Sequence, residues 1–103
     1  MADVMEMSFD KMQANAEEAS TLLKSMANEN RLLILCQLVE GEKSVGELQR
    51  RLPLSQSALS QHLAVLRRER LVKTKRVAQS IYYSLASAEA TAVLSILFDL
   101  YCA

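Results

Sequence analysis

Two groups of side chains in this sequence could do chemistry. The first lies in LSQSALSQHLAVLRRE, residues 54–69, where Ser57, Ser60, Gln61 and Arg68 are hydrogen-bonding groups around the small residue Ala64. Hydroxyls, carboxamides and a guanidinium can pair with base edges, and a small residue among them lets a helix backbone approach a surface closely. The second is a pair of thiols, Cys36 and Cys102. Catalytic sets are missing. There is one histidine, His62, and no Cys-x-x-Cys pair, HExxH motif or Gly-rich phosphate loop. No enzymatic activity is expected.

The elements that must position these groups are legible from periodicity. At 100° per residue, Leu59, Leu63 and Leu66 cluster on one side of a helix over about 55–68, with Ala58 beside them, while Ser57, Ser60, Gln61, Ala64 and Arg68 lie opposite. Ser55 can cap that helix. Ahead of it, SVGELQRRL carries Ser44 and, three residues on, Glu47, the pattern of a capping box. Leu52-Pro53-Leu54 then joins the two as a helix-turn-helix.

Charge is segregated although the net charge is zero. Residues 1–49 hold four basic and nine acidic side chains, residues 50–76 eight basic and one acidic, and residues 77–103 two acidic and none basic. The basic third surrounds the hydrogen-bonding helix. A solvated surface can also be basic, but this coincidence points to a polyanion.

The remaining chain reads as helices over 9–26, 29–39 and 88–101, with Asn28 and Ser87 as caps and Gly41 just past the end of the second. Met12, Ala16, Ala19, Leu23 and Met26 form a stripe on the first, and Leu32, Leu33, Leu35, Cys36 and Val39 are expected to face inward from the second. LVKTKR and SIYYSL read as the strands of a hairpin. VAQ between them lacks Gly and Asn, so a loop of three or more residues is expected. Lys73, Lys75 and Arg76 are placed near its tip, in reach of phosphates. The last helix is apolar on more than one face, which a domain of this size cannot cover alone, so the first and last helices are expected to form a homodimer interface.

The fold expected is therefore mainly α with a small β-hairpin: one winged helix-turn-helix domain over 1–103, with the helix-turn-helix at 44–68 and the wing at 71–85. The opening MADVMEMSFDK has no basic n-region or apolar core, so no signal peptide is expected. The longest apolar runs fall short of a membrane span. A cytoplasmic, nucleoid-associated protein with no membrane partner is expected, its cysteines reduced at rest.

RLLIL, SVGEL, SQSALSQHLAVLR and a hairpin ending in IYYSL together resemble the ArsR/SmtB family of bacterial winged-helix repressors, over about residues 22–86. The resemblance implies a homodimer on a double-stranded operator, an imperfect inverted repeat, released by a small ligand or a modification. It makes Gln56, Ser57, Ser60 and Gln61 base-reading candidates, and Lys75 and Arg76 wing contacts.

Many members of that family hold metals, through a Cys-x-Cys pair before the recognition helix or acids and histidines on the last helix. Here GELQRR has no Cys or His and SILFDLYCA offers only Asp99 and Cys102. Since such metals need three or four ligands, no metal and no cofactor is expected. His62, on the flank of the leucine stripe, reads as a packing residue.

The residues alone argue weakly for reactive thiols: an apolar stripe around Cys36 and a helix C-terminus at Cys102 both disfavour thiolates. LLILCQL and DLYCA, however, resemble the BigR/YgaV/HlyU-type dithiol subgroup. That resemblance implies that Cys36 and Cys102 are bridged by reactive sulfur species or oxidants, directly or through extra sulfurs. A repressor released by such bridging is expected. The alternative is a constitutive anti-silencer whose thiols are structural.

Overall fold

The computed structural model describes residues 8–103; Met1–Met7, the larger part of the opening segment read above as no signal peptide, lie outside the described residues. Five helices and three strands follow in the order α1 (Phe9–Met26), α2 (Glu29–Val39), β1 (Lys43–Ser44), α3 (Val45–Arg51), α4 (Gln56–Arg68), β2 (Val72–Val77), β3 (Ser80–Leu85) and α5 (Ala88–Tyr101). The expected order of helices and hairpin holds. No helix among the described residues is long and apolar enough to cross a membrane.

Each helix starts where a side chain satisfies an orphan N–H. Asn28 Oδ1 accepts from the backbone N–H groups of Asn30 and Arg31 at 3.0 and 3.1 Å. Ser44 Oγ accepts from the Glu47 N–H, and Glu47 Oε1 accepts from the Ser44 N–H, both at 3.1 Å, closing the capping box. Ser55 and Ser87 cap α4 and α5 through Ala58 and Ala90. At the other end of α2, Gly41 takes a φ of 133°, a conformation side chains resist.

The core is one cluster of Met26, the α2 side chains Ile34, Leu35 and Leu38, Leu48 and Leu52, the α4 leucines 59, 63 and 66, Leu71 and Val72, and Ala90 and Leu94 of α5. Burying each large side chain contributes about 1.5–3 kcal/mol. The α4 stripe falls where its period placed it. The α2 stripe does so only in part: Leu35 is fully buried as expected. Ile34 and Leu38 are buried, whereas Leu33 and Val39 are exposed. α2 touches α1, α4, α5 and β3, so its inner side is set by packing on several neighbours, and its apolar sequence offered too little polar contrast to orient it. Leu32 and Cys36 pack against the cluster from its edge.

The sheet has the order β1-β3-β2, all antiparallel. The two-residue β1 was not expected; it pairs Lys43 with Tyr83 and Ser44 with Tyr82, joining the start of the helix-turn-helix to the wing. The hairpin corrects a second expectation. Val77 pairs with Ser80, so the turn is the two residues Ala78-Gln79, with Ala78 at a φ of 56°. The six-pair register carries through to the tip, and this continuous pairing offsets the cost of a left-handed alanine, about 1–2 kcal/mol.

A candidate nucleic-acid interface and a pair of thiols

α3 and α4 are held at their turn by Leu52, which is buried, and by a Leu54 N–H to Leu52 carbonyl bond of 2.9 Å. With Leu59, Leu63 and Leu66 fixed in the core, the opposite face of α4 turns outward. Gln56, Ser57, Ser60, Gln61, Ala64 and Arg68 are all exposed. Ser57 Oγ lies 3.4 Å from the capping Ser55 Oγ, which ties it to the helix start. Arg68 lies 3.7 Å from Glu69 and keeps most of its surface in solvent. His62 is half-buried beside the leucine stripe.

The wing distributes its cations differently from expectation. Lys73 pairs across with Ser84, next to the Val72–Leu85 pair at the base of the hairpin, so it is remote from the tip. Side chains alternate along a strand. Lys73 and Lys75 therefore share one face of the sheet, while Arg76 shares the other with the core-facing Val72 and Thr74. Strand alternation alone separates Lys73 and Lys75 from Arg76, so this split was available in the sequence. Lys75 Nζ also reaches Glu42 Oε1 at 3.3 Å, an exposed ion pair that no local pattern announces.

α4 ends in a Schellman motif. The Leu71 N–H donates to the Leu66 carbonyl at 2.9 Å and the Arg70 N–H to the Arg67 carbonyl at 3.0 Å, with Arg70 at a φ of 63°. Between α4 and the sheet runs a groove of about 510 Å³, with Ser60, Ala64, Arg67 and Arg68 along α4 and Tyr83 across from them. Sequence reading left out Arg67 and Tyr83. Arg67 is three residues on from Ala64 and so shares its flank, a signal that was available; the place of Tyr83 was not.

Cys36 is half-buried and Cys102, which follows the last turn of α5, is exposed; both are free thiols. α2 and α5 pack against each other. Burial pushes the Cys36 thiol above its ordinary pKa, and the charge Cys102 would carry as a thiolate pushes it further. The two thiols thus belong to helices that pack together, with Cys102 just past the last turn of α5. Among the described residues, no group of three or more His, Cys, Asp or Glu side chains is placed to hold a metal ion.

Comparison with known proteins agrees with this geometry. A model of the arsR family of bacterial regulatory proteins matches residues 28–74. The transcriptional activator HlyU of Vibrio cholerae serotype O1 (strain ATCC 39315 / El Tor Inaba N16961) is 55% identical over 96 residues, covering 93% of this chain and 89% of that one. The structure of reduced HlyU from Vibrio cholerae N16961 superposes with a TM-score of 0.86 over 92% of this chain and 100% of that one. The transcriptional repressor BigR from Xylella fastidiosa superposes with a TM-score of 0.88 at 40% identity, covering 94% and 99% of the two chains. The winged helix-turn-helix is the shared architecture.

Proposed function

This chain belongs to the arsR family of bacterial regulatory proteins, and we propose that it is a homodimeric repressor that releases its operator when Cys36 and Cys102 are bridged. Transcriptional regulation through DNA is the activity of the family. The reading beyond that is carried by one observation: the two cysteines, far apart in sequence, belong to helices that pack against each other, Cys36 on α2 and Cys102 at the end of α5.

In this reading the protein acts in the cytoplasm on the nucleoid, as a single domain. Gln56, Ser57, Ser60 and Gln61 meet base edges in the major groove, and Arg68, Lys75 and Arg76 meet phosphates, while Lys73 at the base of the hairpin is left out of the set. The apolar surface left exposed on α1 and α5, with Met12, Leu23, Ile96, Leu100 and Tyr101 more than half exposed, is covered by the second copy. Two α4 helices about one DNA turn apart, roughly 34 Å, match an imperfect inverted repeat.

Reactive sulfur species or oxidants serve as the inducer. For a persulfide RSSH, the two thiols give up two electrons and two protons, one disulfide forms, and the donor leaves as RSH and hydrogen sulfide. A second persulfide inserts one more sulfur and leaves as RSH. Either bridge ties the end of α5 to α2, which packs on α4. A shift there misaligns both half-sites, and each lost bidentate contact is worth about 1–3 kcal/mol.

The test is an operator-binding titration of reduced and persulfide-treated protein, with mass spectrometry of the same samples. Reduced protein binds, bridged protein does not, and Cys36→Ser or Cys102→Ser stays bound under treatment. Full affinity in a protein shown to be bridged favours the second reading, a constitutive DNA-binding anti-silencer with structural thiols. The 55%-identical relative, being a transcriptional activator, lends weight to that alternative.

A further inference from the structure

The groove between α4 and the sheet is concave, open and basic. Its base is apolar, with Leu63 buried and Val45 half-buried. Its rim is polar: Ser60 and Arg67 stand two helical turns apart on one flank of α4, and Tyr83 comes from β3. No carboxylate lines it. Arg68 already has a counter-ion in Glu69 at 3.7 Å, whereas Arg67 forms no ion pair among the described residues. An arginine without an ion pair that lines one groove with a serine and a tyrosine supplies the residue types that bind a phosphate, because the planar fork matches two phosphate oxygens and hydroxyls can donate to others.

The position of the groove identifies the phosphate's source. An α-helix with its side chains is about 10–12 Å across and the major groove about 12 Å wide, so a helix reading bases presents its flanks to the two phosphate walls. Ser60 and Ala64 belong to the outward face of α4, and Arg67 lies between that face and the buried Leu63 and Leu66. The groove therefore begins where the base-reading face ends and leads toward the wing. We propose that Arg67 with Tyr83 and Ser60 cradles one phosphodiester of the DNA backbone in each subunit and sets the depth and register of α4. This rests on the DNA-binding reading but not on the thiol switch. A phosphate contact here carries no sequence information; it positions the side chains that do.

A simpler role for Arg67 is a cation in the last turn of α4 that complements the helix's C-terminal partial charge. That role would move the melting temperature and leave DNA unaffected. The two are separated by measuring binding of the full-length dimer to a duplex selected from a randomised pool by the wild-type protein, and to a scrambled duplex, across a salt series. Arg67→Gln is expected to weaken both duplexes by the same factor, roughly tenfold, and to lower the slope of log K against log salt by about two per dimer. Arg67→Lys retains the slope and recovers only part of the affinity, since a point charge lacks the fork. Tyr83→Phe weakens both duplexes severalfold with the slope unchanged.

An Arg67→Gln protein with wild-type affinity and slope overturns the proposal, as does one weakened on the selected duplex alone. Inorganic phosphate titrated against the backbone amides of α4 and β3 gives the remaining arm. Saturable binding of free phosphate at the groove, with DNA affinity indifferent to Arg67→Gln, makes it a small-anion site and also overturns the proposal. Failure of the wild type to select any duplex is a different result, which defeats the DNA-binding reading itself.

Discussion

Cys102 lies close enough to Cys36 that it adds to the burial already holding the Cys36 thiol protonated. The fold favours the neutral thiol at Cys36. Its contribution to stability is complete below the unfolded-state pKa and is lost as pH rises through the higher folded value. Alkylation by iodoacetamide, read by mass spectrometry, should show Cys36 reacting with an apparent pKa above that of an ordinary cysteine. Cys102→Ser should lower that value, but only partly, because burial is the larger cause. An unchanged profile in Cys102→Ser would mean that the two sulfurs do not interact in solution.

Gln61 and Lys75 separate reading from holding. Gln61→Ala should weaken selected DNA by about 1–3 kcal/mol and leave scrambled DNA nearly untouched. Lys75→Ala should weaken both, by little, because Glu42 at 3.3 Å competes with phosphate for the ammonium. Equal losses on both duplexes for both variants would mean that α4 does not read bases. Titrations at two salt concentrations decide it.

The exposed apolar residues of α5 test the assembly. Ile96 is 57% exposed and Leu100 68% exposed in the single chain. Ile96→Glu should give a monomer at micromolar concentration by light scattering, with operator binding lost and the helical circular dichroism retained. A wild-type protein that is already monomeric at that concentration removes the basis of this prediction.

Arg70 sits at the left-handed position that ends α4. Relative to a glycine, its Cβ is strained there. Arg70→Gly should therefore raise stability by about 0.5–1 kcal/mol, measured by urea unfolding. A loss of stability would show that the arginine side chain contributes more than its backbone conformation costs.

The capping box of α3 has a pH signature. The hydrogen bond from the Ser44 backbone N–H holds the Glu47 carboxyl below its ordinary pKa, against a smaller opposing effect of desolvation. Its stabilisation is present above the unfolded-state pKa and lost as pH falls through the lower folded value. Ser44→Ala should cost roughly 0.5–2 kcal/mol at neutral pH. Glu47→Gln should flatten the loss of stability on acidification, as thermal melts from neutral to acid pH will show.

Sequence alone determined what depends on residues a few positions apart. The caps Asn28, Ser44, Ser55 and Ser87 act on N–H groups two or three residues away, so their patterns are local and sufficient. The α4 stripe is equally local: Leu59, Leu63 and Leu66 alternate with polar residues sharply enough for the helical period to separate an inner face from an outer one. The outer face, Ser57, Ser60, Gln61 and Arg68, followed from the same period. In α2 the contrast was too weak, and packing chose Ile34 and Leu38 over Leu33 and Val39. The tight turn at Ala78 was also decided from outside itself, by strand pairing that outweighs a local backbone preference.

Tertiary structure alone decided which distant groups meet. No spacing in the chain places Glu42 against Lys75, Arg67 across a groove from Tyr83, or the helix that ends at Cys102 against the helix that carries Cys36. Those contacts join elements whose relative positions are set by the shared leucine core. A helical or strand period specifies which way a side chain points from its own axis, but the distance between two axes depends on every side chain packed between them.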